Sequence, residues 1–185
     1  MVCFFRMKRA IQTAYSPKQP ETTLSVATGV ITLLRDTNST LGVAESLTGG
    51  LLAGALTSVS GASAVFRGKE HVLHDDSALI KREGVIHPDV VKQMAEGVRR
   101  ITGLGQEEET TWGVGTTGVA GPEKQDGEDI GTVYIGIAGP DGAKAGGPYR
   151  FGGGREGVRE ATVLEALVRL REALRAKKGE GEVVG

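Results

Sequence analysis

Cysteine is almost missing from this chain: Cys3 is the only one among 185 residues, so no internal disulfide can form and a reducing, cytoplasmic compartment is expected. Neither sign of charge prevails. The 22 basic and 23 acidic residues leave a net charge of −1, and aromatics are only 4% of the chain. No basic stripe interleaved with aromatics exists, so nucleic acid is not the expected partner; a small molecule is. No stretch approaches the ~20 apolar residues that a membrane span needs, and the apolar run at the start is broken by Arg6, too early for a signal peptide. G-x-x-x-x-G-K-[ST] is missing, which excludes a P-loop. G-x-S-x-G is missing as well, and with it the α/β-hydrolase elbow.

Glycine, by contrast, is abundant. There are 29, about twice the usual ~7% share, gathered at 49–50, 113–121 and 152–154. Such clusters suit tight loops that bring backbone close to a ligand, although some are explained by plain turns.

Residues 1–20, with Pro17 and Pro20, read as a disordered leader, 21–176 as one domain and 177–185 as a loose tail. Leu24, Ala27, Ile31 and Leu34 recur at helical spacing over 21–35. Residues 40–44 suit a buried strand, and Leu51, Leu52, Ala55, Leu56 and Val59 form the stripe of a second helix. Residues 76–83 suit a helical turn or two. Pro88 opens a strong helix that Gly103 stops, with Val91, Met94, Ala95, Val98 and Ile101 inward. Strands follow at 112–117 and 131–138, the latter alternating through Val133, Ile135 and Ile137, with a weak one at 148–151. A last helix spans 155–176, with Val163, Leu167, Leu170 and Leu174 inward and Glu165/Arg169 as an exposed pair. Helices interleaved with short apolar strands give an α/β fold, a three-layer α/β/α domain with a mixed sheet.

Gly113-Val114-Gly115-Thr116-Thr117-Gly118 matches G-x-G-x-x-G literally, but an acidic loop precedes it and coil follows, so it is no dinucleotide fingerprint. The meaningful stretch is a strand running into Thr116-Thr117-Gly118-Val119-Ala120-Gly121-Pro122. Such a turn aims N–H groups and the Thr117 hydroxyl at an anion; a simple strand-ending turn is the alternative. Ala44-Glu45-Ser46-Leu47-Thr48-Gly49-Gly50 joins a strand to a helix start, where free N–H groups favour phosphate or carboxylate. Ser46 or Thr48 can equally be an N-cap. Glu45 at a strand end calls for a partner. His71 and His74 beside Asp75 and Asp76 resemble half a metal site, but a third ligand of known spacing is missing, and a solvated polar turn explains them. No metal and no cofactor are expected.

Taken in order, AESLTGG (44–50), TSVSGASAVFRG (57–68), IHPDVVKQMAEGVRR (86–100), TTGVAGP (116–122), IGTVYIGIAGPDG (130–142) and GGGREGVREATV (152–163) resemble the C-terminal domain of the competence/damage-inducible CinA family. The resemblance implies a nicotinamide-nucleotide amidase that converts nicotinamide mononucleotide to nicotinate mononucleotide and ammonia, and it hints at a homo-oligomer. By motif position the family's loop serines fall on Ser46 and Ser63, and either can be the one that attacks; Ser63 is assigned as the nucleophile and Lys69 as its base, with Ser46 and Thr117 orienting substrate and oxyanion. Arg155 would grip phosphate, and Glu45, Thr48, Gly49, Gly118 and Gly121 would line the site. A lysine serves as base only where burial lowers its pKa. One stretch departs from the pattern. After Gly68 a tyrosine-bearing segment of about nine residues, a strand of ~5–6 plus its turn, is missing. A catalytically silent nucleotide binder is therefore the alternative function.

Overall fold

In the computed structural model, which describes residues 20–67, 77–106 and 108–183, helices cover both faces of a four-stranded sheet. The element order is α1 (Thr23–Asp36), β1 (Leu41–Glu45), α2 (Leu51–Thr57), a 3₁₀ turn (Ala62–Ala64), α3 (Ser77–Glu83), α4 (Pro88–Gly103), β2 (Trp112–Gly118), β3 (Thr132–Gly139), β4 (Gly142–Arg150) and α5 (Gly154–Val183). The sheet order is β1-β2-β3-β4. β1 runs parallel to β2, and the other two pairings are antiparallel, so the sheet is mixed as expected. α4 lies across one face, while α1, α2 and α5 pack on the other. Lys69 and the junction Gly68–Lys69 lie outside the described residues, as do His71 and His74.

Local signals explain the ends of several elements. Thr22 and Ser25 form a reciprocal capping box at the start of α1. His87 Nδ1 accepts the Asp89 N–H at 3.2 Å, and Pro88 occupies the first turn of α4, where its missing N–H costs nothing. The core between sheet and α1/α5 is aliphatic, with Ile31, Leu34, Leu41, Leu52, Leu56, Ile135, Leu167 and Leu170 fully buried.

The α4 face is built differently. A Cβ at Gly113 would stand 2.0 Å from the Ala95 carbonyl oxygen, and Cβ atoms at Gly115 and Gly136 would stand 2.7 and 2.3 Å from the Val91 oxygen. Gly115 and Gly136 are register partners. The helix therefore rests on bare backbone, and these glycines serve packing rather than a ligand. This corrects the reading of 113–121 as one ligand-facing cluster.

Four other expectations change. Leu24 is 56% exposed, because Val26 and Val30, not Leu24, turn toward the core. Met94 and Ile101 are only half-buried, since the inner stripe of α4 runs through Val90, Val91, Ala95, Val98 and Thr102. The last strand begins at Gly142 rather than 148, as Pro140 and Asp141 close a tight hairpin in which Gly139 faces Gly142. An exposed edge strand of Gly, Ala and Lys shows no hydrophobic alternation to announce it. Finally, α5 continues as helix to Val183 where a loose tail was expected after Ala176. Ion pairs from Lys177 to Asp141 (2.9 Å) and from Lys178 to Asp36 (3.3 Å) accompany that extension.

Candidate functional site

The C-terminal ends of β1 and β2 bring two loops side by side. The Ser46 N–H donates to the Thr116 carbonyl at 3.1 Å, which extends the parallel ladder one step past Glu45. The chain then reverses through Gly49 (φ 56°) and Gly50 (φ 94°), left-handed conformations that glycine adopts without a Cβ penalty. α2 has no side-chain cap of its own at Gly50. Glu45 supplies one instead: its Oε2 accepts the N–H groups of Gly50 (3.0 Å) and Leu52 (3.1 Å), and Oε1 accepts that of Ala53 (2.8 Å). A carboxylate is favoured there by the orphan donors and the dipole of the helix start. Glu45 is thus the helix cap, with three N–H groups on its two oxygens. Through these bonds it shapes the loop expected to meet the substrate.

Thr48 also holds the loop in shape. Its hydroxyl is fully buried and shares a 2.8 Å hydrogen bond with the Thr116 hydroxyl, tying the loop to β2. Arg159, which the sequence reading passed over, holds the loop from the other side. Its Nε donates to the Leu47 carbonyl (3.0 Å) and its Nη2 to the Thr48 carbonyl (2.8 Å). The i, i+4 spacing of Arg155 and Arg159 at the start of a helix was a usable signal, since it puts both guanidinium groups on one face. Ser46 remains the exposed hydroxyl of this loop.

The second loop follows β2. Thr117 is buried, and its hydroxyl donates to the Val85 carbonyl at 2.7 Å, while Asp126 Oδ2 accepts the Val85 N–H at 2.9 Å. The Thr117 proton is committed to that carbonyl, which leaves its lone pairs to face a ligand. Val85 takes part through its backbone alone and left no trace in the residue pattern. Gly118 passes so close to β3 that a Cβ would lie 2.5 Å from the Thr132 carbonyl oxygen. Gly121 (φ 93°) turns the chain, and its carbonyl accepts Arg155 Nη1 at 2.6 Å. That bond joins the Gly-rich turn to the start of α5 and uses one of the five donors of an exposed guanidinium. Ile130, 44% exposed, flanks the place where a Gly121 Cβ would be, at 3.1 Å, and adds an apolar edge.

Ser46, Gly49, Gly118, Gly121 and Arg155 are thus brought to one end of the sheet, and Glu45, Thr48 and Thr117 support them from beneath. Ser63 is not there. Phe66 bridges Leu41 in parallel, whereas Glu45 is level with Thr116. The 62–66 turn therefore sits at the start of β1, about 13 Å along the strand from the loops at its end, at ~3.3 Å per residue. Ser63 is exposed on the rim of an open depression of about 500 Å³ with Thr57, Ser58, Ser60 and Phe66. The expectation that Ser63 and Thr117 face one cavity is not met within the chain.

Lys69, the expected base, lies outside the described residues. Lys124, on the loop after Gly121, does not replace it. A hydrogen bond and charge attraction from Asp129 raise its pKa, and the same contact lowers that of Asp129, so this amine stays protonated. Among the described residues no three His, Cys, Asp or Glu side chains are grouped to hold a metal, and no helix is long and apolar enough to cross a membrane.

Known proteins resemble this chain in sequence and in fold. The model of the CinA C-terminal domain matches residues 23–174. A CinA-like protein of Frankia casuarinae is 43% identical over 154 residues, which are 78% of this chain and 34% of that protein. One from Parasynechococcus marenigrum is 41% identical over 165 residues, 83% of this chain and 38% of the relative. The chain therefore spans little more than a third of the length of these curated relatives. Among solved structures, a CinA superfamily protein from Klebsiella pneumoniae superposes with a TM-score of 0.76 at 26% identity, over 84% of this chain and 99% of that one. The competence/damage inducible protein CihA from Agrobacterium tumefaciens does so with 0.72 at 28% identity, over 84% and 97%.

Proposed function

Because this chain belongs to the CinA C-terminal domain family, we propose that it hydrolyses the carboxamide of nicotinamide mononucleotide, releasing nicotinate mononucleotide and ammonia. The observation that carries the reading is the convergence of the Ser46 loop, the Gly118–Pro122 turn and Arg155 at one end of the sheet. Exposed guanidinium donors beside glycine backbone suit a nucleotide phosphate, and the Ile130 edge suits a flat ring.

The chemistry is acyl transfer to a serine. The Ser63 oxygen bonds to the carboxamide carbon as Lys69, which can act as base only in its neutral form, takes the hydroxyl proton. The C–N bond breaks as that proton passes to nitrogen, ammonia leaves, and water then hydrolyses the acyl ester. Ser63 lies at the start of β1 and cannot reach Arg155 of its own chain, so the site is completed by a second copy. Ser63 and Lys69 of one chain work on a nucleotide held by Ser46 and Arg155 of the other.

Ammonia release from nicotinamide mononucleotide tests the reading. Ser63→Ala and Arg155→Ala should each be inactive. Mixed and re-equilibrated, they should regain up to about a quarter of the wild-type rate, because half the chains pair unlike and each such pair has one intact site. A mixture that stays silent while Ser46→Ala is also silent removes the shared site and makes Ser46 the nucleophile.

A second reading is a catalytically silent nucleotide binder. It is favoured by the engagement of Glu45, Thr48 and Thr117 in internal hydrogen bonds, which leaves no side-chain base beside Ser46 among the described residues. Wild-type protein that releases no ammonia but melts higher with the mononucleotide would establish it.

A further inference from the structure

A groove of about 460 Å³ lies between the β3–β4 hairpin and the second half of α5, far from the loops just described. Trp112, Ile135, Ile137 and Ala173 form its apolar lining. Tyr149 adds a wall, stacked on Phe151 with ring centroids 5.7 Å apart and capped by the Arg169 guanidinium at 5.8 Å. The hairpin cannot fill this space with side chains of its own. A Cβ at Gly139 would stand 2.6 Å from the Trp112 ring, and one at Gly146 would stand 2.5 Å from the Tyr149 hydroxyl.

The rim carries charge of both signs, and most of it is paired. Asp141 is held by Lys177 at 2.9 Å, and Arg169 by Glu165 at 2.6 Å and Glu172 at 3.4 Å. Lys144, on the exposed edge strand β4, lines the groove and has no ion-pair partner among the described residues. Burial pushes the Tyr149 phenol above its ordinary value, so the wall stays neutral at physiological pH and adds no anion for Lys144.

We propose that this groove binds a small planar aromatic anion, with its rings against Trp112 and Tyr149 and its acid group on Lys144. Ring burial against aromatic and aliphatic side chains supplies the affinity, and the unpaired ammonium selects the charge. A cation would meet Lys144 and the positive ends of two satisfied ion pairs. A neutral ring system would leave Lys144 unused. The site is independent of the amidase reading, since it shares no residue with the loops at the ends of β1 and β2.

Trp112 is the only tryptophan of the chain and sits in the lining, so its emission reports occupancy. The full chain is titrated with anilinonaphthalenesulfonate, an aromatic sulfonate, and with phenylnaphthylamine, the same rings without the acid. Saturable quenching of Trp112 by the sulfonate is expected, with the neutral analogue about three- to fivefold weaker and Lys144→Ala weakened toward it. Ala176→Phe places a ring in the groove from an exposed helix position and should abolish saturable quenching with melting temperature and elution volume unchanged. Equal affinity for the two probes, or indifference to Lys144→Ala, overturns the proposal. Wild-type self-association that disappears in Ala176→Phe overturns it too, by assigning the groove to a second copy; should that variant fail to fold, Lys144→Ala decides alone.

Discussion

Two serines, Ser46 and Ser63, are exposed on turns at opposite ends of β1, and the turns that carry them differ in how they are held. The loop of Ser46 is fastened by the Glu45 carboxylate to three N–H groups, by Thr48 to Thr116, and by Arg159 to two carbonyls. The turn of Ser63 is held mainly by backbone, through Phe66 N–H to Ala62 and the exchange of bonds between Leu41 and its neighbours Val65 and Arg67. Its hydroxyls at Ser58 and Thr57 bond back to their own helix, to Gly54 and Ala53. On the proposed reading, a binding loop must hold its shape before the ligand arrives, whereas a serine delivered to another chain gains from standing clear of its own. Preorganisation is concentrated at Ser46 and reach at Ser63.

The largest test of that contrast is Glu45→Ala. It removes a charged acceptor from three N–H groups, two of them partly buried, and we expect a loss of about 2–4 kcal/mol in urea unfolding, since charged hydrogen bonds contribute more than neutral ones and orphaned donors remain. Arg159→Ala should cost less, about 1–2 kcal/mol, with faster amide exchange at Gly49 and Gly50 as its local signature. Thr48→Val leaves the Thr116 hydroxyl buried without its partner and should cost about 1 kcal/mol in thermal melts, with the shape of the side chain conserved. Ser58→Ala and Ser60→Ala, on the other turn, should change stability by less than about 0.5 kcal/mol. An equal loss in Ser58→Ala and Glu45→Ala would erase the distinction between the two turns.

Much of the fold was legible before the structure. α4 announced itself through Pro88, Gly103 and a 3.6-residue stripe, and β1 through its short apolar run, because both signals are local. Glu45 was recognised as a carboxylate that needs a partner, but not that the partner would be the start of α2. The identity of a backbone donor is invisible in residue types. β4 escaped for a related reason: a strand that pairs on one edge and buries little needs no hydrophobic alternation, and only the Pro140–Asp141 turn hinted at it. Arg159 was missed although Arg155 was noticed, because the loop it secures lies 111 residues away in the chain.

The sequence by itself determined the family, the order of helices and strands, and the residue types gathered in the loops at Ser46 and Thr117, since short-range spacing and composition encode all of these. Tertiary structure alone decided that Gly113 and Gly115 seat a helix instead of facing a ligand, and that Ser63 stands at the other end of β1 from Arg155. Both depend on which strand lies beside which and in what register. The first is settled by α4 packing onto bare backbone and the second by the bridge between Leu41 and Phe66, both interactions between segments apart in the chain.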